Sequence, residues 1–152
     1  MQAKYSNMAA RAGGRASGLI IFRRILNKPA EYLLLQTSYG SHHWTPPKGH
    51  TEEGESDEVT AFRETEEEAG ITSRSLNFME DFKVELKYPV KGKLKKVIYF
   101  LAELTDPDCK VNLSEEHQTF EWATLTRACE LVWYHDTQSA LKSAEEYIKE
   151  NC

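Results

Sequence analysis

The chain has 152 residues, a formal net charge of -5, and a composition that is 40% apolar and 28% charged. That is enough for one domain with a sizeable core, and the acidic balance argues against a broad nucleic-acid-coating surface, which needs extended basic faces. No apolar run approaches the ~20 residues of a membrane-spanning helix, and the three cysteines, Cys109, Cys129 and Cys152, show no CxxC or Cys/His spacing, so reduced thiols are expected rather than a disulfide framework or a zinc site.

Residues 1–16, "MQAKYSNMAARAGGRA", contain no acid and read as a flexible leader. A mitochondrial transit peptide shares part of that composition; the expected location is nevertheless cytoplasmic. Residues 17–152 are expected to form a single domain. The β-rich runs 18–26 and 31–37 read as two strands around an Asn-Lys-Pro turn. In "YGSHHWTPPKGH" (39–50) the adjacent prolines forbid a regular element, so a shaped loop is expected.

The spacing predicts a helix over 55–69, with Ser56 as N-cap and Gly70 just past its end. Val59, Phe62 and Ala69 share one side at 100° per residue, with Glu64, Glu67 and Glu68 on roughly the opposite one. Segments 77–88 and 94–104 read as long paired strands around "PVKGKL", and 120–125 as one more. A last helix is predicted over 137–150, N-capped by Asp136, with Ala140, Leu141, Ala144, Tyr147 and Ile148 on its apolar stripe. Strands and helices intermix, so the sheet is expected to be mixed, in an α/β chain.

The crowding of glutamates in the first helix needs a reason. Glu64, Glu67 and Glu68 stand at i, i+3 and i+4, where like charges repel by roughly 0.2–0.5 kcal/mol per pair. A solvated face explains many charge runs, and Glu66 reads that way. Three carboxylates on one face also form half a cage for Mg²⁺, which binds through a few carboxylates plus phosphate oxygens.

The spacing decides between these readings. From Gly49 the sequence runs "GHTEEGESDEVTAFRETEEEAGI": glycine, five residues, Glu55, seven residues, then Arg63-Glu64-x-x-Glu67-Glu68-x-Gly70-Ile71. This resembles the Nudix box of nucleoside-diphosphate-linked hydrolases at every charged and glycine position. Thr65 is the one departure, at a place where the family usually has an aliphatic residue.

The resemblance implies a Nudix α/β/α sandwich. It assigns Glu64, Glu67 and Glu68, with the Gly49 carbonyl, to Mg²⁺ (Mn²⁺ as a possible substitute), one carboxylate doubling as the base. It makes Glu55 and Arg63 an internal ion pair. "HHWTPPKGH", "VIYFLAEL" and "LSEEHQTFEW" further resemble the animal branch that hydrolyses diadenosine tetraphosphate asymmetrically.

That branch implies a dinucleoside polyphosphate substrate split into ATP and AMP. Glu116 would be a further metal or base carboxylate, with Glu115 its competitor. His43 and Lys48 would face phosphates, His42 being hard to rank against His43, while Trp44 reads as core. The lysine-rich hairpin "LKYPVKGKLKK" suggests that Tyr88 stacks on adenine, that Lys95 reaches phosphate and that Phe120 supplies the opposite wall. Its lysines also fit a hairpin edge guarded against aggregation. Another pyrophosphate substrate (ADP-ribose, an oxidised nucleotide, capped RNA) and a non-catalytic dinucleotide-binding module are the alternatives. No DNA or membrane partner is expected, and the protein is expected to be a monomer.

Overall fold

In the computed structural model, which describes residues 14–152, eight strands join in one mixed sheet. Most of the expected leader, residues 1–13, lies outside the described residues. The strands are β1 (Arg15–Arg23), β2 (Glu31–Thr37), β3 (Trp44–Thr45), β4 (Lys48–His50), β5 (Leu76–Phe78), β6 (Val84–Val90), β7 (Lys93–Leu104) and β8 (His117–Ala123). The central path runs β3-β2-β1-β7-β5, with β4 on β1, β6 on β7 and β8 on β2. The β1–β7 pair is parallel and every other pair is antiparallel.

The alternation of a strand sorts the core into two halves. Ile20, Phe22, Tyr32, Leu34, Val97, Tyr99 and Leu101 face one side, packed against α2 (Leu125–Leu131) and α3 (His135–Asn151). Leu19, Ile21, Leu33, Leu35, Ile98 and Phe100 face the other, packed with Ala61 and Ala69 of α1 (Asp57–Ala69). The result is the expected α/β/α sandwich. Among the described residues no helix is long and apolar enough to cross a membrane.

Several expectations hold in detail. Ser56 caps α1 by accepting the Val59 N–H at 3.2 Å, and Gly70 ends the helix at φ 69°. The β6–β7 hairpin turns on Lys91 (φ 51°) and Gly92 (φ 80°), the two positive φ angles that a two-residue type I′ turn needs. Cys109, Cys129 and Cys152 are free thiols.

Others are corrected. The 39–50 loop does contain regular structure: β3 and β4 flank the two prolines, and the Pro47 carbonyl accepts the Leu19 N–H at 3.0 Å. β1 begins at Arg15 and stops at Arg23, leaving Leu26 87% exposed in the turn that follows. The 77–88 segment is broken into β5 and β6, which lie end to end along one edge of β7. β8 starts three residues before the expected 120. The short helix α2 has too few turns to show a period and was not expected. Helix α3 starts at His135 with Tyr134 in the cap position, so Asp136 lies in the first turn, where it favours the helix dipole rather than capping it.

The largest correction concerns α1. Val59 is 53% exposed, whereas Thr60, Ala61, Glu64, Thr65 and Glu68 are buried. Two of the helix glutamates turn inward, toward β4, while of the expected apolar side Phe62 and Ala69 pack on the core and Val59 does not.

Candidate active site

Strand β4 is three residues long, and its period of two divides it. Lys48 and His50 stand on the α3 side of the sheet, opposite Gly18 and Ala16 of β1, while Gly49 is directed at α1. The space left by the missing Gly49 side chain is filled by Glu64. An ideal Cβ at that glycine would lie 2.0 Å from Glu64 Cδ and 2.2 Å from Oε2. Glu64 is 1% exposed, and its charge is met by Arg63, whose guanidinium donates to Oε2 at 3.1 Å.

Arg63 is the hub of this acidic group. It donates to both Glu55 oxygens at 2.6 and 3.0 Å, to the His50 carbonyl at 3.0 Å and to Glu67 at 3.2 Å. Glu55 also accepts the Glu52 N–H at 3.0 Å and the Thr60 hydroxyl at 2.9 Å. The Arg63 hydrogen bond, offset in part by burial, brings Glu55 down to about 2. The expected Glu55–Arg63 pair is therefore in place, tying the loop to the helix. Among the described residues no three acidic, histidine or cysteine side chains converge tightly enough to ligate one ion as placed; Glu67, half exposed, pairs with Arg63 at 3.2 Å.

A second acidic element comes from the loop before β8. Asn112 and Ser114 donate their N–H groups to the carbonyls of Ala69 and Glu68 at the end of α1, and Ser38 donates its N–H to the Glu116 carbonyl at 2.9 Å. These bonds press Glu116 inward, to 5% exposure, and leave Glu115 at the surface. Glu116, Glu68, His117, Thr37 and Gly49 line a small pocket. In it Glu68 accepts the Lys48 N–H at 3.2 Å and lies 4.0 Å from His117 Nε2.

Beside this pocket, on the α3 side, is a cleft of about 250 Å³. Its walls are aromatic and aliphatic (Trp44, Leu86, Val97, Tyr99, Val132, Tyr134), and Tyr39, His43, Thr45 and Lys48 border both the cleft and the acidic pocket. Lys95 reaches into the cleft and is 9% exposed; burial, with Lys48 nearby, lowers it to about 8. Burial and Lys48 also lower His43, against which Tyr39 packs edge-on. Cations thus crowd the cleft where it meets the carboxylates.

The structure brings together Gly49, Glu68 and Glu116 in the pocket and His43, Lys48 and Lys95 in the cleft, with Glu64 beneath Gly49. His42 (φ 57°) is exposed and lies near the Gln118 amide, outside both. Phe120 is not brought in: it stands opposite Leu35 on the α1 side of the sheet and is 38% exposed. The backbone of Tyr88 pairs with Lys95, but its side chain lies outside the described residues. Trp44, read as core, packs on the core and lines the cleft as well. Tyr39, Tyr99, Tyr134 and His117 went unnoticed. Tyr39 and His117 lie within the stretches "YGSHHWTPPKGH" and "LSEEHQTFEW", but nothing in "LVWYHD" marks Tyr134.

The profile of the NUDIX domain matches residues 15–143. The chain belongs to the Nudix family. The asymmetrical bis(5'-nucleosyl)-tetraphosphatase of Sus scrofa is 51% identical over 139 residues, covering 88% of this chain and 95% of the relative. The Caenorhabditis elegans enzyme of the same name is 46% identical over 134 residues, covering 88% and 96%. In structure, a C. elegans Ap4A hydrolase binary complex superposes with a TM-score of 0.86 at 44% identity, covering 90% of this chain and 98% of that one. The Nudix box thus occupies, in this chain, the β4–α1 unit on which the site is built.

Proposed function

We propose that this protein hydrolyses diadenosine tetraphosphate asymmetrically, to ATP and AMP, with Mg²⁺ as its metal. The observation that carries the reading is the pairing of two compartments: an aromatic cleft and an acidic pocket, joined at Tyr39, His43, Thr45 and Lys48. The cleft is smaller than the roughly 300–1,000 Å³ that holds a drug-sized ligand whole, so it takes one nucleoside end. The polyphosphate then runs over Lys48, Lys95 and His43 toward the carboxylates. The relatives named above support the choice of substrate.

The residues present fit a divalent ion. The donors are hard oxygens, as Mg²⁺ requires, and Gly49 leaves the Glu64 carboxylate direct access to the β4 backbone. Glu64, Glu67, Glu68 and Glu116 would hold it, in competition with Arg63 for Glu64 and Glu67. Bound metal supplies charge neutralisation on phosphate and a lowered pKa of water.

The protein's own groups do the rest. Aromatic walls hold the base by stacking, worth roughly 1–3 kcal/mol per base. Lys48 and Lys95 are point charges for non-bridging oxygens, and a neutral His43 still donates one ring N–H. Both Glu116 and Glu68 line the pocket, which supports them as the carboxylates that take the proton of the attacking water. The Glu55–Arg63 pair keeps the loop and helix in register, so that the reacting groups meet in one geometry.

A turnover panel tests this: diadenosine tetraphosphate, ADP-ribose, an oxidised nucleoside triphosphate and a cap dinucleotide, each with Mg²⁺. The expected result is a kcat/KM for diadenosine tetraphosphate at least tenfold above the rest. A higher value for any other substrate, or no turnover at all, overturns the assignment.

A further inference from the structure

Lys95 is an unusual lysine. It carries three donors and no acceptor, it is 9% exposed, and Lys48 of β4, one strand removed from β7 in the sheet, repels it. Buried lysines of this kind are almost always paired. The contact the structure gives its ammonium is the ring of His50, with Nζ 3.3 Å from Nε2.

His50 is itself 6% exposed and fixed by pairing opposite Ala16 in the sheet. Because the lysine only donates, Nε2 must accept, which places the ring proton on Nδ1. The main chain of the same residue serves the acidic side as well. Its carbonyl accepts from Arg63 at 3.0 Å, and Arg63 gathers Glu55, Glu64 and Glu67. One residue therefore touches both the cation in the cleft and the hub of the acidic group.

We propose that His50 is a positioning residue, whose neutral imidazole holds the Lys95 ammonium aimed into the cleft for phosphate and couples it to the Arg63 network. The proposal deepens the functional reading above, and rests on it only for the identity of the phosphate ligand. Its reach is defined by geometry. Gln carries an amide oxygen at about the distance of Nε2 and can accept from Lys95, whereas Leu fills similar volume and cannot.

Calorimetric titration of inorganic tripolyphosphate, with EDTA present, reads the effect without metal or turnover. His50→Leu is expected to weaken binding at least tenfold and His50→Gln to restore it to within threefold of wild type, with all variants melting within a few degrees of each other. In a Lys95→Met background, His50→Leu is expected to have no further effect. In steady-state hydrolysis of diadenosine tetraphosphate the His50→Leu loss falls on KM rather than kcat. The proposal is overturned if the wild type does not bind tripolyphosphate, if Leu and Gln behave alike, or if the His50→Leu loss persists without Lys95. Failure of the functional reading shows separately, as wild-type protein that binds tripolyphosphate but leaves diadenosine tetraphosphate intact.

Discussion

Gly49→Ala is the sharpest perturbation of the site, because it adds one carbon where Glu64 already lies. The new Cβ would stand 2.0 Å from Glu64 Cδ, 2.2 Å from Oε2 and 2.5 Å from Oε1. Even a 3.0 Å contact, tighter than ordinary packing, requires the carboxylate to retreat by about 1 Å. Glu64 is buried between β4 and α1 with its Arg63 bond at 3.1 Å, so the retreat either breaks that bond or pushes the helix outward. Overpacking of this kind costs typically ~1–3 kcal/mol, which lowers Tm by about 3–10 °C in a chain of this length. A reacting constellation displaced by ~1 Å loses on the order of 10² in rate. The assay pairs a circular-dichroism melt with ATP formation from diadenosine tetraphosphate. Gly54→Ala is the control: Gly54 has φ 85° and nothing near its Cβ position, so alanine there should cost ~1–2 kcal/mol of backbone strain and leave kcat within threefold. A Gly49→Ala protein with wild-type kcat would refute the idea that Glu64 works from that notch.

Other outcomes are expected. Glu67→Gln should lower kcat by about 10² or more while Tm stays within about 2 °C, since the side chain is half exposed and a surface pair with Arg63 contributes little; near-wild-type kcat in a kinetic assay would remove Glu67 from the metal set. Glu55 is held down to about 2 by Arg63, so its share of stability is complete above the ordinary value of 4.5 and is lost as pH falls toward 2; acid melts of Glu55→Gln should show a shallower decline over that range. Thr65 is fully buried and its hydroxyl has no hydrogen-bond partner among the described residues. Thr65→Val should therefore raise stability by ~1 kcal/mol or more, seen as a Tm gain of about 2–4 °C, and a fall in Tm would contradict the packing described.

What could be read from the chain followed the range over which each signal acts. The Nudix box is a local signal: a cap at Ser56, a stop at Gly70 and fixed charge spacing between them, all realised within one loop and one helix. The Glu55–Arg63 pair followed from the family resemblance that this same stretch carries. The inward turn of Glu64 was not legible, because apolarity marks Val59, Phe62 and Ala69 as the packed side; Phe62 and Ala69 do pack on the core, and Val59 does not. What decides the face is the glycine on β4, a partner outside the helix on the strand it packs against, beside which a buried carboxylate is matched to Arg63. Cleft residues were the least legible, since Tyr39, Tyr99 and Tyr134 come from three separate segments that meet only once β7 and α3 are packed. Phe120 shows the opposite error: an aromatic beside the "SEEHQ" stretch looked like a wall, but its position opposite Leu35 puts it on the α1 side of the sheet.

The register of cleavage tests the account most directly. A tetraphosphate between two adenosines can split centrally into two ADP, or off-centre into ATP and AMP. With one adenosine seated in the cleft and the carboxylates a fixed distance beyond Lys48, position along the chain selects the phosphorus that water attacks. Hydrolysis of diadenosine tetraphosphate with Mg²⁺ in ¹⁸O-water, followed by mass spectrometry of the nucleotides, reads both the products and the attacked atom. The account predicts ATP and AMP in equal amounts, with the label in AMP. Two equivalents of ADP, or label recovered in ATP, would contradict it.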